Sequence, residues 1–260
     1  MGKYNFNENR DIITVPYSQI VKYPDGGSFT SVVVSTREAQ QQLSNLFSAT
    51  NAQYTSVVTA SSTANNIVSM GSITLDNYNN NISMAQNYYN SAVSNYNKGE
   101  QELKAKSPFI AAQNFNAAKV SNISASNYAN KAKQALAALN ILKPKYINAK
   151  NTLLSLKQKY QLILTTIAKQ MNLATNNEFI KANTSGLMQI QATGNMATSK
   201  ATSSINQINS SLQQLASVDI TKVSLTTITG MVAKILSQQS AINAGLTSAG
   251  QQTSTAKKAA

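Results

Sequence analysis

Oily side chains recur at alternating three- and four-residue steps through most of this chain, the pattern of helices that pack along one seam. The stretch Leu75, Tyr78, Ile82, Ala85, Tyr89, Ala92, Tyr96 shows it without a gap. Gly99 then stands where a helix C-cap is expected. A longer seam runs through Ala125, Tyr128, Ala132, Ala135, Leu139, Leu142, Tyr146, Ala149, Leu153, Leu156, Tyr160, Ile163, Ile167 and Ala174, interrupted at Gln170. Pro144 falls inside it, yet the phase is the same on both sides. A loop would reset the phase, so the spacing predicts one kinked helix over about 108–178. At ~1.5 Å per residue such a rod is roughly 100 Å long.

Weaker periodicity predicts further helices over about 36–70, 72–98, 187–217 and 221–248. Gly71-Ser72 is read as a break between the first two, and Gly186 and Gly194 as a loop or a loosened helix. Ser107-Pro108 reads as an N-cap followed by proline at the first helical position, and Asp219 or Thr221 as another N-cap. Ahead of the helices, Val15, Tyr17, Ile20 and Tyr23 precede Pro24-Asp25-Gly26-Gly27, and Phe29 and Val33 follow. Asp-Gly between β-branched runs predicts a β-hairpin over 12–35. A lone hairpin is marginal in water, so those six apolar residues are expected to dock on the helices or on a neighbour. Residues 1–11 are read as a flexible arm, and 249–260, with Lys257 and Lys258, as a flexible basic tail. The expected fold is mainly α: an elongated bundle of about five long helices with coiled-coil-like packing, plus the N-terminal hairpin.

Composition narrows the chemistry. The 260 residues contain no His, no Cys and only nine carboxylates. Ser-His-Asp and Cys-His arrangements, and zinc sites of the ordinary kinds, are thereby excluded. The close carboxylate pairs are Glu8 with Asp11, in the arm, and Glu100 with Glu102, whose spacing splays the two side chains on a helix. Neither suits acid–base work, and no phosphate-binding glycine loop is present. The reading is a non-enzyme with no catalytic residue, no cofactor, no metal and no small-molecule substrate. The 31 Asn and 21 Gln, with abundant Ser and Thr, are mostly poor helix formers, so their helices must be held by packing.

Charge adds a partner. The formal net charge is +13, and eleven lysines with no acid lie between Glu102 and Glu178. In the seam frame Lys143, Lys150 and Lys157 flank one side, and Lys131, Lys145 and Lys159 the other. Lysine would face lysine in either self-pairing, so the seam is expected to be covered by other helices or by a different protein. The six lysines form a candidate ridge for an anionic partner: an acidic protein surface, or nucleic acid, which the tyrosines placed away from the lysines support weakly. The same lysines also read as a solvated border of the seam. No secretory signal and no membrane-spanning run is evident, so the chain is read as made in soluble form.

The function these features point to is a structural or assembly protein, foremost a minor structural component of a virus or phage particle. A membrane-acting helical bundle of the pore-forming type is the alternative, and an extracellular filament subunit the third reading.

Overall fold

The computed structural model of the chain describes residues 21–22, 28–29 and 36–259. Strands β1 (Val21–Lys22) and β2 (Ser28–Phe29) pair antiparallel, Val21 opposite Phe29 and Lys22 opposite Ser28. The arm 1–11 and the rest of the expected hairpin lie outside the described residues. Almost everything else is helix: α1 (Thr36–Lys104), α2 (Pro108–Thr175), the short α3 (Glu178–Ala182), α4 (Thr184–Ser217) and α5 (Leu225–Ala259). A 3-10 turn, Ile220–Lys222, precedes α5.

The helix ends differ from the expected ones for identifiable reasons. Gly71 and Ser72 lie inside α1, not between two helices. A Cβ at Gly71 would sit 3.1 Å from Ile220 Cγ2, so the glycine gives room to the 3-10 turn. Gly99 is likewise internal. The helix ends beyond it in a Schellman arrangement: Ser107 N–H donates to the Glu102 carbonyl at 2.9 Å and Lys106 N–H to Leu103 at 3.1 Å. Lys106 takes the left-handed position, φ 57°, that glycine usually fills. Pro108 opens α2, and Ser107 accepts the first helical bond from Ala111 N–H at 3.0 Å. Pro144 lies within α2. Gly186 and Gly194 are in α4, which is capped by the preceding Asn183, whose Oδ1 accepts from Gly186 N–H at 2.9 Å. Asp219 caps the 3-10 turn. The expected flexible tail is helical to Ala259.

The polar helices accommodate their hydroxyls locally. Thr63, Thr74, Thr165, Thr229 and Thr247 each donate to the carbonyl four residues back. Gln41 with Asn45 and Gln86 with Asn90 pair along the helix surface. These bonds satisfy polar groups; the apolar seam supplies the packing.

The chain divides into two compact units, each taking part of α1 and part of α2. Unit 1 comprises residues up to Asn65 and Asn148–Ala216. Its core is built from Leu43 and Val57 on α1, Leu153, Tyr160 and Ile167 on α2, and Ile190, Ile208 and Leu215 on α4, all buried. The Tyr160 hydroxyl donates to the Thr50 carbonyl of α1 at 3.0 Å.

Unit 2 comprises Asn66–Ile147 and Ser217–Ala260. In its interior Ala85, Ala92, Ala111, Ala118, Ala125, Ala129, Ala132 and Ala249 are buried along with larger side chains such as Leu139, Ile228, Ile235 and Ile242. The alanines let helix backbones approach closely. One large ring sits among them. Phe115 is fully buried, and a Cβ at Gly99 of α1 or at Gly245 of α5 would each lie 2.6 Å from its Cε1. The ring therefore occupies the space that two missing side chains leave free. Buried Asn122 donates to the Ile235 carbonyl at 3.1 Å and to Gln239 Oε1 at 3.0 Å, pairing an amide of α2 with one of α5.

Candidate functional site

The six ridge lysines divide between the units and are not equivalent. In unit 2, Lys143 is half-buried and its Nζ donates to the Val223 carbonyl at 2.9 Å, at the end of the 3-10 turn. This cation holds the turn that leads into α5 and is not free to grip a partner. Lys131 Nζ lies 4.8 Å from the centroid of the Tyr128 ring, which stacks on Tyr88 with centroids 5.5 Å apart and planes 10° from parallel. Lys145 is exposed. In unit 1, Lys150 and Lys159 are exposed and Lys157 is half-buried. None of the six has a carboxylate partner among the described residues; the ion pairs there are Lys181 with Glu178 at 2.9 Å and Lys222 with Asp219 at 3.4 Å. What the structure leaves for an anionic partner is thus narrower than the ridge read from spacing.

Of the docking hairpin, Val15, Tyr17, Ile20, Tyr23 and Val33 lie outside the described residues, and Phe29 is placed only as the partner of Val21. Lys257 and Lys258 are exposed on the last turn of α5. Among the described residues no three of His, Cys, Asp and Glu come together as a metal site would need. Glu100 lies beside Tyr96, whose phenol pKa is raised by burial first and by that carboxylate second. Burial also raises Tyr160 and Tyr146, the latter with Asp219 adding to it. The Asp219 carboxyl is held below its ordinary value by Thr221, through the threonine side chain first and its backbone N–H second, with Lys222 adding to it. These shifts belong to packing and capping. No helix among the described residues is long and apolar enough to cross a membrane.

A second surface escaped the sequence reading. In unit 2, Val120, Ile123 and Ile141 project outward from α2, Val120 and Ile141 each 65 % exposed. In unit 1, Leu154, Leu162 and Leu173 do so, Leu162 at 67 %. Val120, Ile141 and Leu162 share one heptad position, well away from the buried seam. The signal was present as large aliphatics in phase with one another but out of phase with the core. Attention to the seam alone passes over them.

No protein-family model matches the chain, and no curated protein does. Among solved structures it is similar to a computationally designed three-helix bundle, at 12 % identity and a TM-score of 0.31, over 82 % of this chain and 98 % of that one.

Proposed function

We propose that this chain is a non-catalytic helical assembly protein, and specifically a minor structural component of a virus or phage particle that docks on other subunits. The observation that carries the reading is the outward aliphatic set on α2. Nine of the sixteen large apolar side chains exposed among the described residues lie on this one helix, although it already buries its seam. Such residues favour contact with another molecule. The partner face that suits them is apolar with acidic flanks, because α2 carries lysines and no carboxylate from Pro108 to Thr175. The residue types of the chain fit the same reading, since its formal net charge is +13 and it has neither His nor Cys.

Mass spectrometry of density-gradient-purified particles from the source tests the role. The chain is expected to co-sediment in fixed ratio to the other subunits, and Ile141→Asp with Leu162→Asp to lower its incorporation without loss of helicity. Absence from every particle fraction removes the particle role. Dye release from vesicles by the purified chain would instead favour the membrane-acting alternative.

A further inference from the structure

In unit 2, the start of α2 and the end of α5 border two adjoining open clefts. The first, about 460 Å³, is lined by Ser107, Pro108, Phe109, Ile110, Thr253, Ala256 and Lys257. The second, about 800 Å³, shares Pro108 and Ala256 with it and adds Lys106, Ser248, Gln251, Gln252 and Thr255. Phe109 is 71 % exposed and Ile110 47 %. Lys104, Lys106, Lys257 and Lys258 are exposed on the turns around them. Glu100 and Glu102, the carboxylates on the last turns of α1, line neither cleft.

We propose that this end of unit 2 docks on an anionic phospholipid surface: Phe109, Ile110 and the first cleft take acyl-chain carbon, and Lys106, Lys257 and Lys258 meet the phosphates. The proposal is independent of the particle role. Chemistry separates a lipid from an acidic protein segment here. A peptide laid in a groove brings N–H and C=O groups that must be bonded. The first cleft offers them only Ser107 and Lys257 at its edge. Pro108 has no N–H, Phe109, Ile110 and Ala256 carry no side-chain polar atom, and the Thr253 hydroxyl already donates to the Ala249 carbonyl at 2.9 Å. An acyl chain asks for no hydrogen bonds. The second cleft, with Lys106 and the amides of Gln251 and Gln252, is polar where the first is not, and suits a headgroup. Apolar insertion plus several lysines is the combination by which proteins lie on anionic membranes without crossing them.

The chain contains no Trp, so Phe109→Trp gives a single indole at the proposed insertion point. Its emission is expected to shift to the blue with vesicles of equimolar phosphatidylcholine and phosphatidylserine, and to stay unshifted with phosphatidylcholine alone. In co-sedimentation with the anionic vesicles, Lys257→Glu with Lys258→Glu is expected to weaken binding on the order of tenfold or more. Phe109→Ser with Ile110→Ser is expected to weaken it comparably, with circular dichroism unchanged because both residues are exposed. Lys133→Glu with Lys234→Glu carries the same charge change at exposed positions outside both the clefts and the ridge, and is expected to leave binding nearly intact. No blue shift, no binding by the unaltered chain, or an equal loss from the Lys133/Lys234 pair each overturns the proposal. The last result would assign binding to general basicity.

Discussion

Units 1 and 2 are both built from segments of α1 and α2 with one further long helix, α4 or α5, and both bury alanines among larger apolar side chains, yet they hold their largest fully buried rings in different ways. Unit 1 buries Tyr160 in a core that includes Leu43, Leu153, Ile167, Ile190 and Ile208, and ties its hydroxyl to the Thr50 carbonyl. Unit 2 buries Leu139, Ile228, Ile235 and Ile242 as well as its alanines, and seats Phe115 where a Cβ at Gly99 or at Gly245 would collide with the ring. A ring fixed by a hydrogen bond can lose its polar atom and keep its volume. A ring seated against two glycines is held by volume alone. Unit 2 should therefore be the more sensitive to truncation of its ring.

Phe115→Ala is the strongest test of that contrast. It removes a fully buried ring whose neighbours include Gly99, Gly245, Ala111 and Ala249, which have no side chains able to swing into the space, beside Tyr96, Leu103 and Leu246. The loss should fall at about 3–5 kcal/mol, the range for truncation of a buried aromatic ring. Urea unfolding followed by circular dichroism measures it, and hydrogen exchange locates it. Amides of 85–132 and 228–249 are expected to lose protection before those of unit 1. Equal loss in both units would mean that they unfold as one cooperative body, and the contrast would describe composition only.

What the chain made legible, and what it hid, follows the same division. The buried face of α2 follows the seam read from spacing from Leu139 to Ala174, because helical periodicity is local and repeats many times over; ahead of it Ala129 and Leu136 are buried where the spacing predicts Tyr128 and Ala135. The misreadings are non-local. Gly71 and Gly99 look like punctuation when only their neighbours are considered; in the fold each is the gap that admits Ile220 or Phe115 from another segment. Lys143 looks like part of a charged border, and its carbonyl partner at Val223 is eighty residues away. The last helix outruns its oily residues, since beyond Leu246 Ala249 is buried with Phe115 and the Thr253 and Thr255 hydroxyls bond back to their own helix. The outward Ile141 and Leu162 were visible as letters, but the significance of a second face depends on knowing that the first is already covered.

Tyr160→Phe sharpens the comparison from the side of unit 1. The ring volume stays, and the Thr50 carbonyl loses one donor, so the cost should be about 1 kcal/mol, well below that of Phe115→Ala. The phenol also links stability to alkali. Burial raises its folded pKa above the unfolded value of ~10, so its contribution is complete below pH ~10 and disappears as pH climbs through the folded value. Tyr96 and Tyr146 of unit 2 are shifted in the same direction. Stability should fall above pH ~10, and less steeply in Tyr160→Phe than in the unaltered chain. An identical alkaline slope in the two would show that Tyr160 ionises no less readily when folded.

The smallest effect is a gain, and it concerns the turn that closes unit 2. Lys106 holds a left-handed φ of 57° to complete the Schellman bonds that end α1. A residue with a Cβ gives up about 1 kcal/mol there relative to glycine. Lys106→Gly removes that cost, but glycine's freedom in the unfolded chain takes back about half of it. The net gain should be about 0.5 kcal/mol, read as a higher urea midpoint at unchanged m-value. Lys106→Ala separates backbone from charge, since alanine keeps the Cβ and loses the cation. If alanine stabilises as much as glycine, repulsion from Lys104 and its neighbours, and not the strained φ, is what the substitution relieved.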